Sequence, residues 1–228
     1  MSGRAEIRDA ATVIVLRREA DRTRVLMGQR GGTAAFMPGK FVFPGGAVDD
    51  ADHDVPIDEP ADAQALSDDG TCAPRALAAA AIRETWEETG QILGRPGTWP
   101  GEPPKDWRGF AATGHIPDAA SLTFFFRAVT PAGRPRRFDA RFFLADAAAL
   151  AGDPDDFAGA EPELSHLQWI DLRAARDFDL PFITQVVLAE LIGYLRDGGG
   201  PVRSIPFFRN DDERHLVTRL GGTSPLAP

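Results

Sequence analysis

The chain has little of what stabilises a small secreted fold or a sulfur-bound metal. Its 228 residues contain one cysteine, Cys72, which excludes an internal disulfide and a cysteine-based zinc site and fits the reducing cytoplasm. No apolar run approaches the roughly 20 residues that span a bilayer, and the opening MSGRAEIRDA lacks a signal peptide's apolar stretch. No membrane partner is therefore expected, and the expected location is cytoplasmic. Excess positive charge is also missing: 25 Lys and Arg stand against 34 Asp and Glu, a net charge of −9 at pH 7. Long nucleic acid needs a basic face that releases counterions, so it is not an expected partner, whereas a small phosphorylated ligand is compatible.

What is present is an ordinary globular composition, 43% apolar and 26% charged, enough for a single domain with a real core. The acid excess is local. Between Asp49 and Pro74 there are nine acids and no Lys or Arg; set those aside and 25 acids face 25 bases. This stretch, about 49–74, has neither a helical nor a strand period and reads as a mobile surface insertion.

The β-rich runs Thr12–Arg17 and Val25–Arg30 read as neighbouring strands, and Phe41–Phe43 as a short strand stopped by Pro44-Gly45-Gly46. From Pro74 the run APRALAAAAIRETWEETG predicts a helix closing at Gly90, and a loop rich in Gly, Pro and Trp follows from Gly94 to Trp107. Residues 122–129, 141–144 and 166–170 read as strands. Leu180–Arg196 reads as a second helix entered through Pro181. The order points to α/β architecture, a mixed β-sheet between helices.

At 100° per residue Glu84, Glu87 and Glu88 share one face of the first helix, opposite Ala78, Ile82, Trp86 and Thr89. Carboxylates three and four apart repel one another, and here they sit where the helix dipole is negative. Taken alone, a solvated acidic face explains three glutamates well. Next to Gly45-Gly46, whose bare backbone leaves room for a carbonyl ligand and a diphosphate, they suit a hard cation, Mg²⁺ or Mn²⁺.

Arg83-Glu84-Thr85-Trp86-Glu87-Glu88-Thr89-Gly90-Gln91 resembles the REUxEExGU end of the Nudix box, and Gly45-Gly46 its beginning. In the pattern G-x5-E-x7-REUxEExGU the first Gly and the Arg lie 14 positions apart, whereas Gly46 and Arg83 are 37 apart, an excess of 23 residues in the acidic stretch. Counting back eight from Arg83 puts Arg75 in the glutamate position; Thr85 and Gln91 replace apolar residues. The resemblance implies a Nudix-type α/β/α sandwich, one domain over 1–228 with its core about 10–196. It implies metal-dependent hydrolysis of a nucleoside diphosphate linked to another moiety, with Gly46, Glu84, Glu87 and Glu88 as metal ligands and Arg83 orienting the carboxylates. The general base is Glu84 or a loop acid, Glu163 in preference to Glu161.

The split box is similar to the CoA and acyl-CoA diphosphatase branch. Gly39–Gly46 has its G-x3-FPGG ending and Arg30 fits its early arginine, but Ala35 stands where a second arginine is expected. Arg30, Arg136 and Arg137 are the expected substrate-binding residues, with Arg134 beside them. Trp99 and Trp107 fit either base stacking or packing, and His115 is more in keeping with a structural role. Other readings of the whole are an ADP-ribose or NADH pyrophosphatase and a non-catalytic nucleotide-sensing module, the latter suggested by Arg75 and by the long insertion; a homodimer is compatible with either.

Overall fold

The computed structural model describes residues 6–34, 36–67, 72–202 and 204–209, with the backbone alone of 217–220. Ala35 and residues 68–71 of the acidic stretch lie outside the described residues. In chain order the elements are β1 (Ile7–Arg18), β2 (Thr23–Arg30), β3 (Phe41–Val42), β4 (Gly45–Ala47), α1 (Ala63–Leu66), α2 (Pro74–Thr89), β5 (Ile92–Pro96), α3 (Arg108–Ala112), β6 (His115–Pro117), β7 (Thr123–Val129), β8 (Arg137–Asp146), β9 (Leu150–Ala151), β10 (Leu164–Asp171), α4 (Phe182–Arg196), β11 (Ile205–Phe208) and β12 (Val217–Leu220). No helix among the described residues is long and apolar enough to cross a membrane.

The main sheet runs β10-β2-β1-β8-β7-β11-β12, with β3 on β2 and β4 on β1. It is mixed: β1 and β8 are parallel, as are β7 and β11, and the other pairings are antiparallel. A smaller sheet, β6-β5-β9, stands apart. Val13, Ile14, Val15 and Leu16 are all buried, so β1 is covered on both faces, as a strand with a parallel partner generally is. Successive residues therefore feed two cores. Ala11, Val13 and Val15 meet Leu77–Ile82 of α2, while Ile14 and Leu16 join Val187, Leu188 and Leu191 of α4. This is the expected α/β/α arrangement. The alanines 78–81 of α2, all buried, leave little between helix axis and sheet.

The strands and helices fall where the sequence places them; β1, β2, β8 and β10 run longer than expected, and β3, β7 and α4 are slightly shorter. The acidic stretch does not. Within its described residues it begins with a tight 3-10 turn at Asp50–Asp54 and continues through α1, and Val55, Ile57 and Leu66 are buried in the same core as α2, so this part is packed down and not a surface excursion. Its few apolar residues escaped a periodicity test because they are spaced for a folded-down loop. The Gly94–Trp107 segment is likewise more ordered than a loop: it starts as β5 and ends in a short 3-10 turn whose Trp107 is fully buried.

Candidate active site

Pro74 occupies the first turn of α2, where its missing N–H costs nothing, and Gly90 ends the helix in the left-handed conformation at φ 73°, its N–H donating to the Trp86 carbonyl at 2.7 Å. The two polar residues in apolar box positions are satisfied internally. Thr85 Oγ1 donates to the Ala81 carbonyl at 2.7 Å and Gln91 Nε2 to the Asp156 carbonyl at 2.7 Å. The helix thus holds its shape with its acids turned to the Gly45-Gly46 bend. That bend is β4, paired antiparallel with β1 so that Gly46 faces Ala11. A Cβ on Gly46 would overlap the Glu84 carboxyl, so only glycine admits this approach.

Glu88 is 2% exposed. Its Oε2 accepts from the Gly45 N–H at 2.7 Å, and its Oε1 is buried without a hydrogen-bond partner. Burial first, and then the neighbouring Glu84, hold its carboxyl well above the ordinary range, against the pull of the Gly45 N–H and Arg30. Glu84 is pushed up to about 7, chiefly by burial, with Glu87 and Glu163 adding and Arg83 opposing. Glu87 is raised as well, by burial more than Arg83 lowers it.

Arg83 is 4% exposed and every nitrogen is engaged. Nη1 donates to Glu84 Oε1 and Glu87 Oε2, each at 2.9 Å, Nη2 to the Ala47 carbonyl and Asp52 Oδ2, each at 3.0 Å, and Nε to Asp52 Oδ1 at 3.0 Å. Trp107 Nε1 donates to the same Asp52 oxygen at 3.1 Å. Buried at this point, Trp107 packs against Trp99 and cannot stack on a bound base. His115 is tied to Thr113 through its Nδ1, in a structural setting.

Asp52 is the residue that pattern counting from the helix misses. Counted back from Arg83 the box glutamate falls on Arg75; counted forward from Gly46 by G-x5-E it falls on Asp52. The structure brings Asp52, 1% exposed, onto Arg83, which places the extra residues after the first box acid rather than before it.

A cleft of about 720 Å³ opens beside the bend, lined by Gly45, Gly46, Glu84, Glu163, Arg30 and Arg136, among others. Glu163 reaches it from the turn before β10, its Oε1 2.6 Å from Arg30 Nη2. Phe36 and Phe138 stand edge to face on one wall at 5.2 Å, and Phe182 and Phe208 form a second such pair at 6.0 Å. Phe182 is 68% exposed. Arg8, Lys40 and Arg134 complete a basic rim.

Arg137 does not belong to this cleft. It is 4% exposed, and its Nε donates to the Thr130 carbonyl at 3.1 Å. The strand pleat is the reason: Arg136, Phe138, Ala140 and Phe142 line the cleft, so Arg137, Asp139 and Arg141 must point to the other side of the sheet. Arg83 and Glu87 also stand behind the cleft, Arg83 as a brace for the carboxylates. Among the described residues no three acidic, His or Cys side chains are gathered into a finished cation cage. Arg83 draws Glu84 and Glu87 towards itself, while Glu88 leans on Gly45. The donors are nonetheless of the right kind, hard oxygens around a glycine bend with one buried carboxylate oxygen left over.

No family model matches the chain. It is 30% identical over 181 residues to a Caenorhabditis elegans protein assigned as nudix hydrolase 7, a match that takes in 75% of this chain and 53% of the relative. The chain thus spans about half the length of that curated relative. Among solved structures, a Nudix hydrolase from Alicyclobacillus acidocaldarius superimposes with a TM-score of 0.62 at 30% identity, covering 83% of this chain and 92% of that one. A likeness of sequence as well as of shape thus runs across nearly all of that structure, and the chain belongs to the Nudix hydrolase family.

Proposed function

We propose that this protein hydrolyses the diphosphate linkage of a nucleoside diphosphate joined to a second moiety, with Mg²⁺ or Mn²⁺ as cofactor. The observation that carries this reading is the buried, half-partnered Glu88 carboxylate next to Glu84 and the Gly45-Gly46 bend at the edge of an open cleft. Glu84, Glu88 and the Gly46 carbonyl would hold the cation, with Glu87 joining once it turns from Arg83. A divalent ion there supplies charge neutralisation of the diphosphate oxygens and a more acidic bound water. Arg83, clamped by Asp52, keeps the carboxylates from drifting apart and acts through them rather than on substrate. Of the three candidate bases Glu84 is assigned here to the cation and Glu161 does not line the cleft, which leaves Glu163, whose side chain is 57% exposed, to take the water's proton onto a carboxylate oxygen and pass it to solvent. Arg30 and Arg136 would grip the phosphates.

Within this class, CoA or acyl-CoA suits the cleft best. Arg134 and Arg136 offer a charged seat for a further phosphate, and Phe138, Phe142, Phe182 and Phe208 offer an apolar wall for a tail. The nucleotide-sensing alternative rests on Arg75 in place of a box glutamate and on the long insertion. Asp52, on Arg83, stands where the box acid falls when counted from Gly46, which weakens the first of these grounds and leaves the second. Incubating the full chain with MgCl₂ or MnCl₂ and a panel of CoA, acyl-CoA, ADP-ribose, NADH and diadenosine polyphosphates tests the reading. Cleavage at the diphosphate is expected, fastest for CoA or its thioesters. Ligand binding without turnover of any panel member would overturn it.

A further inference from the structure

Glu163, which lines the cleft, and Glu88, buried behind it, face the guanidinium of Arg30, whose bonding is unfinished. Its Nη2 meets Glu163 Oε1 at 2.6 Å, but its Nη1 stops 4.0 Å from Glu88 Oε1, beyond hydrogen-bonding distance. Arg30 Nε and Glu88 Oε1 are both buried without a hydrogen-bond partner. Leaving buried charged groups half-paired is costly, and a folded site that does so usually holds them for another partner. The backbone beneath is fixed: the Arg30 N–H donates to the Lys40 carbonyl at 2.9 Å, the Arg30 carbonyl accepts from the Gly39 N–H at 3.1 Å, and Arg30 sits opposite Leu164 in the β2–β10 register. Only the side chain, which lines the cleft, has a choice of partner.

We propose that Arg30 is a displaceable counter-ion that holds Glu88 and Glu163 together and turns to the ligand's diphosphate when a divalent cation takes its place. This deepens the proposed function and rests on it. A single charge 4.0 Å from Glu88 Oε1 neutralises that oxygen poorly, and a hard divalent ion satisfies it better. Once released, the guanidinium is a planar fork within the same cleft, matched to two phosphate oxygens. Arg30 thereby links two binding events. Cation binding frees an anion receptor, and a diphosphate that draws Arg30 away uncovers the carboxylates. Linkage makes the gain reciprocal.

Calorimetric titration of the full chain with MnCl₂, with ADP, and with each in the presence of the other provides the test. Arg30→Met should bind Mn²⁺ about tenfold more tightly than the wild type in the absence of ADP, and should lose the wild type's gain in ADP affinity on adding Mn²⁺. Arg30→Lys, which keeps the charge but not the fork, should bind Mn²⁺ as the wild type does and ADP more weakly. Lys40→Met removes a cleft cation held instead by Asp179 and should leave Mn²⁺ affinity within about twofold of wild type, since it does not touch the acids. Equal or weaker Mn²⁺ binding by Arg30→Met, or an equal gain in Lys40→Met or Arg30→Lys, overturns the proposal. Silence of the wild type and all three variants towards both Mn²⁺ and ADP would remove the proposed function itself, a result distinct from a wild type that binds both without the Arg30→Met gain.

Discussion

Two guanidinium groups flank the carboxylates of α2, and they are treated in opposite ways. Arg83 lies behind them with every nitrogen engaged, between Asp52, Glu84, Glu87 and the Ala47 carbonyl. Arg30 lies on the cleft side with its Nε lacking a hydrogen-bond partner and with Glu88 in an ion pair at 4.0 Å, too long to be a hydrogen bond. The first arrangement can be read as framework: its geometry is fully determined and any loss is structural. The second is set up for exchange. The difference teaches that buried charge in this fold is of two kinds, and that counting ion pairs would hide which kind does the binding.

The sharpest way to break the comparison is to remove Asp52. Asp52→Ala leaves Arg83 buried beside an unfilled gap and should cost about 3–5 kcal/mol of stability, read by urea unfolding, because a buried charge loses its main partner. A small loss would mean that Arg83 is not framework. Glu88→Gln should leave the fold intact and lower metal-dependent turnover by about a hundredfold or more, the usual scale for removing a preorganised charge at a reacting phosphate. Activity near wild type with unchanged melting temperature would detach the orphaned oxygen from catalysis.

A third test uses pH. Burial holds the Glu84 carboxyl at about 7, above its ordinary value of 4.5, and Glu88 is raised as well, so the folded protein binds protons more tightly than the unfolded chain. The sign follows directly: without metal, stability should fall as pH rises from about 4.5 to about 7 on account of Glu84, and on further through the higher range of Glu88. Added MnCl₂ should therefore raise the melting temperature more at pH 8 than at pH 5. An equal rise at both would mean that the cation binds away from these carboxyls. The smallest effect is expected from Trp107→Phe, which keeps an aromatic ring but deletes the N–H to Asp52 and should cost about 1 kcal/mol. If it lowers turnover without changing stability, Asp52 tunes the site as well as bracing it.

Much of this was legible from residue order alone. Pro74, the alanine run and Gly90 fix α2 because each acts within a turn of itself, and the spacing of Glu84, Glu87 and Glu88 puts them on one face wherever the helix lies. The glycine bend was legible for the same reason. Asp52 was not, since nothing local says that a residue 31 positions from Arg83 will meet it; only counting from the other end of the box points there. Arg137 was misassigned because two adjacent basic residues look equivalent until the pleat of β8 separates them. The acidic stretch misled through composition: Val55, Ile57 and Leu66 are too few to register, yet each is buried. Thr85 and Gln91 looked like departures from an apolar pattern, and the carbonyls that satisfy them became visible only in three dimensions.

The pleat of β8 ties the ligand's surroundings to the integrity of the fold. Moving that strand along β1 by a single residue would bury the aromatic wall and thrust Arg137, Asp139 and Arg141 into the opening, as every side chain changes sides at once. Deleting one residue inside β8 would thus abolish recognition and folding together, while indels in the preceding Pro131–Pro135 turn, whose exposed Ala132, Gly133 and Arg134 lie before the strand, should trim the rim and leave the alternation untouched.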